Sequence, residues 1–480
     1  MSSKRNLPPN HCVITYLFRN LSGLAVGNPS GDESKVGTNL EANHDVVVVG
    51  AGPAGLATAY YLRDLGLDIQ VLEAGSDIGG RTLSRDLAGA PVNTGAMFIY
   101  RGTRAESLAA ELGIRTAPFH PGTYGVHVDG VTSVASSTAE VVDALPLPDE
   151  SKQALAEFME SVSREYNANT SEGAITENAA GLVNETVAER LAHLPGPARS
   201  VIETAVRGGA VGDATQLSAK YALRYLASYI VHEQDNRLYP VDGMQSLPRA
   251  LAGRCGSTTT ITTNARVSSV RERDGLFEVL ADHGGESKVL TARHVVMAVP
   301  APLLAGISVG LPDWKLEALK AAETPGSTTL TVAANVDGLE GIADWSFVST
   351  VGKKFDAIIN PLPGTVPPDG IVRFTCYGNS AGFLPGIEND EARINEWVEE
   401  LLEVAPELRG RIAGAVAATW EHCFSVLSPK RNDALPELRR SIGNLHFAGD
   451  YTSETAGSHG AYEEGHRVAQ LLRAELSVPA

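Results

Sequence analysis

The chain is short of cysteine, of positive charge and of long apolar runs, and each shortage removes a class of protein. Its four cysteines, Cys12, Cys255, Cys376 and Cys423, lie far apart with no CxxC pair. Neither a disulfide framework nor a zinc site is signalled, and reduced thiols in a cytoplasmic protein are the expectation. Lys and Arg number 39 against 57 Asp and Glu, a formal net charge of −18. That balance argues against nucleic acid and against an anionic membrane surface as partners. No apolar run reaches the roughly 18 residues of a membrane span. The start, Lys4-Arg5 before "HCVITYLF", is interrupted by Arg19 and shows no small-residue cleavage site, so no secretory signal is expected.

What is present is a globular composition, 43% hydrophobic and 20% charged, over 480 residues. That length exceeds one ordinary core and implies two domains or one domain with a large insertion. Residues 1–43 are rich in Asn, Ser, Gly and Pro and read as a flexible leader. "DVVVVG", from Asp45, is a continuous β-branched run, as expected of a strand buried on both faces. "AGPAGLATAYYLRDLG" has helical spacing at Leu56, Ala59, Tyr60 and Leu62 and is predicted to stop at Gly66, and "LDIQVLEAG" supplies a second strand. Further on, "ESKQALAEFMESVSREY" and "AKYALRYLASYI" are helical patterns, "TTITTNARVSSVRERDGLFEVLAD" alternates like antiparallel strands, and "ARHVVMAVP" reads as another buried strand.

Gly50-Ala51-Gly52-Pro53-Ala54-Gly55 fits G-x-G-x-x-G between that first strand and its helix, with Glu73 at the end of the second strand. In this context the pattern is a dinucleotide fingerprint. Gly50 permits the tight turn, Gly52 lets backbone approach a pyrophosphate, and Gly55 lets helix and sheet pack closely. The pyrophosphate then lies on the helix N-terminus, and Glu73 accepts from ribose hydroxyls.

After Glu73 and Ala74 comes "GSDIGGRTLS", whose glycine pair and Arg81 resemble the motif of FAD proteins in the amine oxidase, phytoene desaturase and protoporphyrinogen oxidase superfamily. The resemblance continues through "VNTGAMFIY", "LYPVDGMQSLPRALA", "NARVSSV", "VVMAVP" and "LHFAGDYTS". It implies FAD as cofactor, with Gly80 and Arg81 near the pyrophosphate, the Val267 backbone at the adenine, and Gly449 and Asp450 at the ribityl or pyrophosphate portion. Ser458, His459 and Gly460 would begin a last helix aimed at the flavin. With Pro53 and Ala54 these complete the candidate cofactor set. The implied fold is α/β: a Rossmann-like FAD-binding domain of glutathione-reductase type (44–102, 237–305 and 415–480) with an inserted α+β substrate domain (103–236 and 306–414).

The resemblance also implies a flavin-dependent oxidoreductase that takes a hydride from a C–N or C–C bond of a small organic substrate. Its electrons would pass to O2 or another acceptor; a homodimer is one open option for assembly. The family's amine oxidases carry a lysine after a "P-x-G-S" turn, but here "ETPGSTTLTVAANV" offers Ser327, Thr328, Thr329 and Leu330, and no lysine until Lys353. Their aromatic cage position falls on Gly457. Those departures, and likenesses in "GGAVGDATQLSAKYALRYLASYI" and "TWEHCFSVLSP", keep a redox-neutral FAD-dependent double-bond isomerase as the alternative. Catalytic candidates are His459 and Trp420, with His422 a looser acid–base choice; the family's covalent-link motif is not reproduced around Cys423, and no metal ligands are expected.

Overall fold

The computed structural model describes residues 42–120, 122–171, 174–175, 182–222 and 237–476. The expected leader, apart from its last two residues, and all but the start of "AKYALRYLASYI" lie outside them.

The first sheet opens with β1 (His44–Val49), whose Val46, Val47 and Val48 are all fully buried, which is why the run does not alternate. Helix α1 (Pro53–Leu62) follows, with Pro53 in its first turn, and leads to β2 (Ile69–Leu72). The helix ends at Leu62 rather than running on to Gly66. Arg63 turns its guanidinium back onto the Tyr60 carbonyl at 2.7 Å, and Gly66, at φ 68°, completes the exit. The chain then crosses to a second sheet with the hairpin β3 (Thr123–Val128) and β4 (Val131–Ala135), and passes through helices α2 (Asp149–Asn169) and α3 (Gly196–Ala210). It returns to the first sheet as β5 (Thr259–Thr262), β6 (Ala265–Arg273), β7 (Leu276–His283) and β8 (Glu286–Met297). After α4 (Asp313–Ala321) the second sheet gains β9 (Ser327–Asn335), β10 (Trp345–Thr350), β11 (Ala357–Ile359) and β12 (Ile371–Gly378). Helix α5 (Glu391–Val404) and β13 (Ile412–Trp420) follow, and β14 (Leu445–Phe447) with α6 (Gly457–Leu476) closes the first sheet.

In the first sheet β5, β2, β1 and β8 are neighbours and parallel, and β14 joins the far side of β8 with Met297 opposite Phe447. The first half of β8 pairs antiparallel with β7, and β7 with β6. The alternating stretch from Thr259 therefore divides: β6 and β7 are antiparallel as expected, whereas β5 runs parallel to β2 because the chain reaches it through the helix Ser246–Ala252 instead of a hairpin. This is a Rossmann-like α/β assembly beside a second, mixed sheet of order β13-β9-β12-β11-β10-β3-β4. Among the described residues no helix is long and apolar enough to cross a membrane.

Two features place the last helix. A Cβ on Gly465 would lie 2.3 Å from the Ala54 carbonyl oxygen, so only glycine lets α6 press against α1. Thr58 Oγ1 then donates to the Gly465 carbonyl at 3.2 Å. Loops at the carboxyl ends of β1, β2, β8 and β14 thus share one edge with the start of α6, where ligands of such sheets bind.

Candidate functional site

The site begins where β1 ends. Gly50 sits at φ 106° and a Cβ there would be 2.7 Å from the Ala298 carbonyl oxygen, while one on Gly55 would be 2.0 Å from the Gly50 carbonyl oxygen. Gly52 differs: its φ is −78° and a Cβ would meet nothing within 4 Å, so the space over it is open. No side chain caps the first turn of α1, which starts Pro53-Ala54-Gly55. The Glu73 carboxylate is anchored there, accepting from Ala51 N at 2.9 Å and from Gly75 N at 2.7 Å. Beside it are exposed Ala74 and, through the bond from Ala265 N to the Glu73 carbonyl at 2.8 Å, strand β6 with Val267. Gly80 lies across from Gly52, whose Cα a Gly80 Cβ would meet at 3.5 Å. An uncapped helix start, an open cradle and a fixed carboxylate suit a pyrophosphate and a ribose, so the residues fit the nucleotide half of FAD.

Further along, the two charged residues expected near the cofactor are joined. Arg81 Nη2 donates to Asp450 Oδ1 at 2.8 Å and Nη1 to Oδ2 at 3.3 Å; Asp450 Oδ2 also accepts from Ser425 N at 2.9 Å. Burial opposes the guanidinium charge, but the Asp450 carboxylate more than offsets it and holds Arg81 above its ordinary range. Beneath them Arg431, fully buried, donates to the carbonyls of Asp450, Tyr451 and Ser453, clamping the turn after Gly449 that feeds α6. Gly460 serves the same turn, since a Cβ there would be 1.8 Å from the Thr455 carbonyl oxygen.

Between the two sheets is a cavity of about 200 Å³ that brings Pro53, Arg81, Trp420, Ser458 and His459 together. Trp420, the last residue of β13, donates from Nε1 to the Thr94 carbonyl at 2.5 Å, and Tyr377 of β12 donates to the Gly95 carbonyl at 3.0 Å. The segment that carries Met97, Phe98 and Tyr100 into the wall is thereby held from the second sheet. The His459 ring packs on Tyr100 with centroids 5.0 Å apart. His422 does not line the cavity; its carbonyl accepts from Arg81 at 3.4 Å.

The two departures noted in the sequence have structural counterparts. No lysine is among the described residues lining the cavity: Thr329 turns its hydroxyl to the Thr94 carbonyl at 2.8 Å, and Lys353 pairs with Glu403 elsewhere. Gly457 is on the wall at φ 82°, and a Cβ there would be 3.1 Å from Phe424 Cε2. Phe424 and His459 therefore border the space into which a side chain at 457 would project. Burial pushes the Cys423 thiol up to about 11, so it stays protonated near neutral pH.

Sequence reasoning missed Phe98, Tyr100, Phe347, Ile359, Tyr377 and Asn379 as cavity residues. It also missed the support behind them, in which Arg207 Nε donates to Asp356 at 2.8 Å and Asn379 Nδ2 to the Arg207 carbonyl at 2.6 Å. Burial raises the Asp356 carboxyl in spite of Arg207. "VNTGAMFIY" contains two of these residues, Phe98 and Tyr100, but nothing in a single strand says which side chains face a cavity.

A family model described as flavin-containing amine oxidoreductase matches residues 53–473, and the chain belongs to that family. FAD is accordingly its cofactor, and its class is flavin-dependent oxidoreductase. The Dictyostelium discoideum protein named flavin-containing monoamine oxidase A is 24% identical over 90% of this chain and 98% of its own length. An L-amino-acid oxidase of Siganus canaliculatus is 25% identical over 86% of this chain and 82% of its own. The Mycobacterium tuberculosis protein named flavin-containing monoamine oxidase AofH is 46% identical, but the match spans only 18% of that protein's length. Among solved structures, cyclohexylamine oxidase from Brevibacterium oxydans IH-35A superimposes with a TM-score of 0.70 at 21% identity, covering 91% of this chain and all of that one. All four of these proteins carry oxidase names, and the double-bond isomerase alternative finds no support.

Proposed function

We propose that the protein oxidises an apolar monoamine, taking a hydride from the carbon of a C–N bond. One observation carries the reading. The cavity is walled by Phe98, Tyr100, Phe347, Tyr377, Trp420 and Phe424, runs to the start of α6, and has no carboxylate among its described lining residues. Aromatic walls favour an apolar body. The lack of a lining carboxylate disfavours a second ammonium group on the substrate and favours the neutral amine, the form whose nitrogen lone pair assists hydride loss.

Bound FAD supplies the two-electron acceptor for that step. The chain's own residues do the rest. The Gly52 cradle, Glu73 and the α1 first turn hold the nucleotide; the Arg81–Asp450 pair fixes the middle of the site. The first turn of α6, Ser458 to Gly460, presents backbone N–H groups and the positive end of a dipole to developing negative charge. Trp420, Tyr377 and Phe424 exclude water and orient the substrate, and the His459 imidazole is placed to handle a proton at the wall. Strand membership in the two sheets favours a division into a FAD-binding part (44–102, 237–305, 415–480) and a substrate part (103–236, 306–414), except at two edges: β13 (Ile412–Trp420) lies in the second sheet, and Ser308–Val309 pairs with β6 of the first.

The test is anaerobic mixing of the FAD-loaded protein with benzylamine, a diamine, an amino acid and a non-amine alkene. Flavin bleaching by benzylamine, with loss of two hydrogens from the product, is expected. If no amine bleaches the flavin, or if a product of unchanged mass forms, the proposal fails.

A further inference from the structure

A second chemically equipped cluster lies away from the cavity and takes no part in the proposed oxidation. His294 is on β8 and His446 on β14, neighbouring parallel strands in which Val296 is directly opposite His446. Side chains alternate along a strand, so 294, 296 and 446 share one sheet face. Helix α6 crosses that face, and its last turn brings Glu475 over both histidines. His294 Nδ1 and His446 Nε2 are 3.4 Å apart, and a Glu475 oxygen is 3.8 Å from each.

Those separations suit a metal ion. With separations of 3.4, 3.8 and 3.8 Å, the nearest point equidistant from the three atoms is in their plane, about 2.1 Å from each. An ion raised slightly out of that plane to admit a fourth ligand stays close to zinc–imidazole and zinc–carboxylate bond lengths. The rest of the surroundings agree. His446 Nδ1 is 3.0 Å from Ser441 Oγ, the kind of second hydrogen bond that fixes a ligating imidazole and leaves Nε2 for the ion. His446 is fully buried and His294 nearly so, while Glu475 is about half exposed, so two ligands are rigid and the third faces the entry side. The end of α6 contributes the negative pole of its dipole. The nearby cations are already compensated: Arg467 pairs with Glu464 at 2.7 Å and Arg293 with Asp45. The competing arrangement is a single hydrogen bond between two neutral imidazoles, with Glu475 left in water.

We propose that His294, His446 and Glu475 form a binding site for a first-row transition dication, Zn2+ foremost, that fastens the C-terminal end of α6 to the first sheet. Two imidazoles and a carboxylate select borderline ions over Mg2+ or Ca2+. Three protein ligands leave a fourth position to water.

The experiment uses the tag-free, full-length, FAD-loaded protein, treated with EDTA, dialysed and then equilibrated with Zn2+ alone. Elemental analysis is expected to return one Zn2+ per chain at micromolar free metal, with a melting temperature raised by at least roughly 2 °C. Glu475→Gln, a change at a half-exposed position, is expected to keep the flavin spectrum while weakening Zn2+ binding roughly tenfold or more. His446→Asn is expected to abolish binding; should it misfold, the Glu475→Gln comparison decides alone. No stoichiometric zinc in the parent protein, or equal affinity in parent and Glu475→Gln, overturns the proposal. The readouts do not involve turnover, so they stand whichever substrate the cavity takes.

Discussion

The three glycines of the fingerprint offer a test of the cofactor site that separates folding from binding. Gly55→Ala places a methyl carbon 2.0 Å from the Gly50 carbonyl oxygen and 3.1 Å from Val48 Cγ1. Ordinary contact begins near 3.5 Å, so α1 must retreat from β1 by roughly 1.5 Å. Neither neighbour yields cheaply, because one is backbone and the other is a fully buried strand residue. A cost of about 3 kcal/mol or more is expected. Gly52→Ala has ordinary φ and empty surroundings, so the apoprotein loses only about 0.5–1 kcal/mol from a poorer helix N-cap. Its methyl group points into the space reserved for the pyrophosphate, and FAD affinity is expected to fall about 10–100-fold. Urea unfolding of the deflavinated proteins measures the first quantity and quenching of flavin fluorescence on titration the second. Equal destabilisation of both apoproteins, or FAD binding by Gly52→Ala within roughly twofold of the parent, refutes the assignment of open space over Gly52 to the cofactor.

Three further outcomes are expected. Asp450→Asn removes the carboxylate that both Arg81 nitrogens engage, and because Asp450 is 2% exposed the change is expected to cost about 3 kcal/mol in urea unfolding; a loss below about 1 kcal/mol means the pair is idle. Burial lowers Lys315, on α4, to about 7, although its Nζ donates to the Glu437 carbonyl at 2.7 Å. Between pH 7 and the unfolded value near 10.5 the unfolded chain binds the extra proton, so parent stability rises with pH across that window and the increment is lost again as pH falls through 7. Lys315→Met is expected to flatten that rise; parallel melting-temperature curves for parent and variant contradict it. His459→Ala is expected to lower kcat about 100-fold while leaving the FAD spectrum unchanged; undiminished turnover reduces the residue to the packing partner of Tyr100.

How legible all this was depends on whether a feature is local. The fingerprint was readable because its constraints act within one βαβ unit: a turn, a helix start and a strand end fall within about 30 residues. The β5 direction was not, since alternation is compatible with either neighbour and only the connection through Ser246–Ala252 decides it. The early end of α1 turned on Arg63 folding back to the Tyr60 carbonyl, a side-chain bond that periodicity does not register. The cavity is the least local feature of all. Trp420 closes it through the Thr94 carbonyl and Tyr377 through Gly95, pairings across more than 280 positions in sequence. The same holds for the aromatic surface. Read along the chain, Gly457 is a missing ring, and that loss helped keep an isomerase as the alternative to an oxidase. In the folded chain the Phe424 ring is 3.1 Å from where the Gly457 Cβ would be, so the ring and the glycine are one arrangement. Replacing Phe424 by alanine tests this: the cavity opens beside the α6 start, and KM for an apolar amine is expected to rise about tenfold. An unchanged KM removes Phe424 from the substrate wall, and with it the reason to treat the glycine at 457 as compatible with amine oxidation.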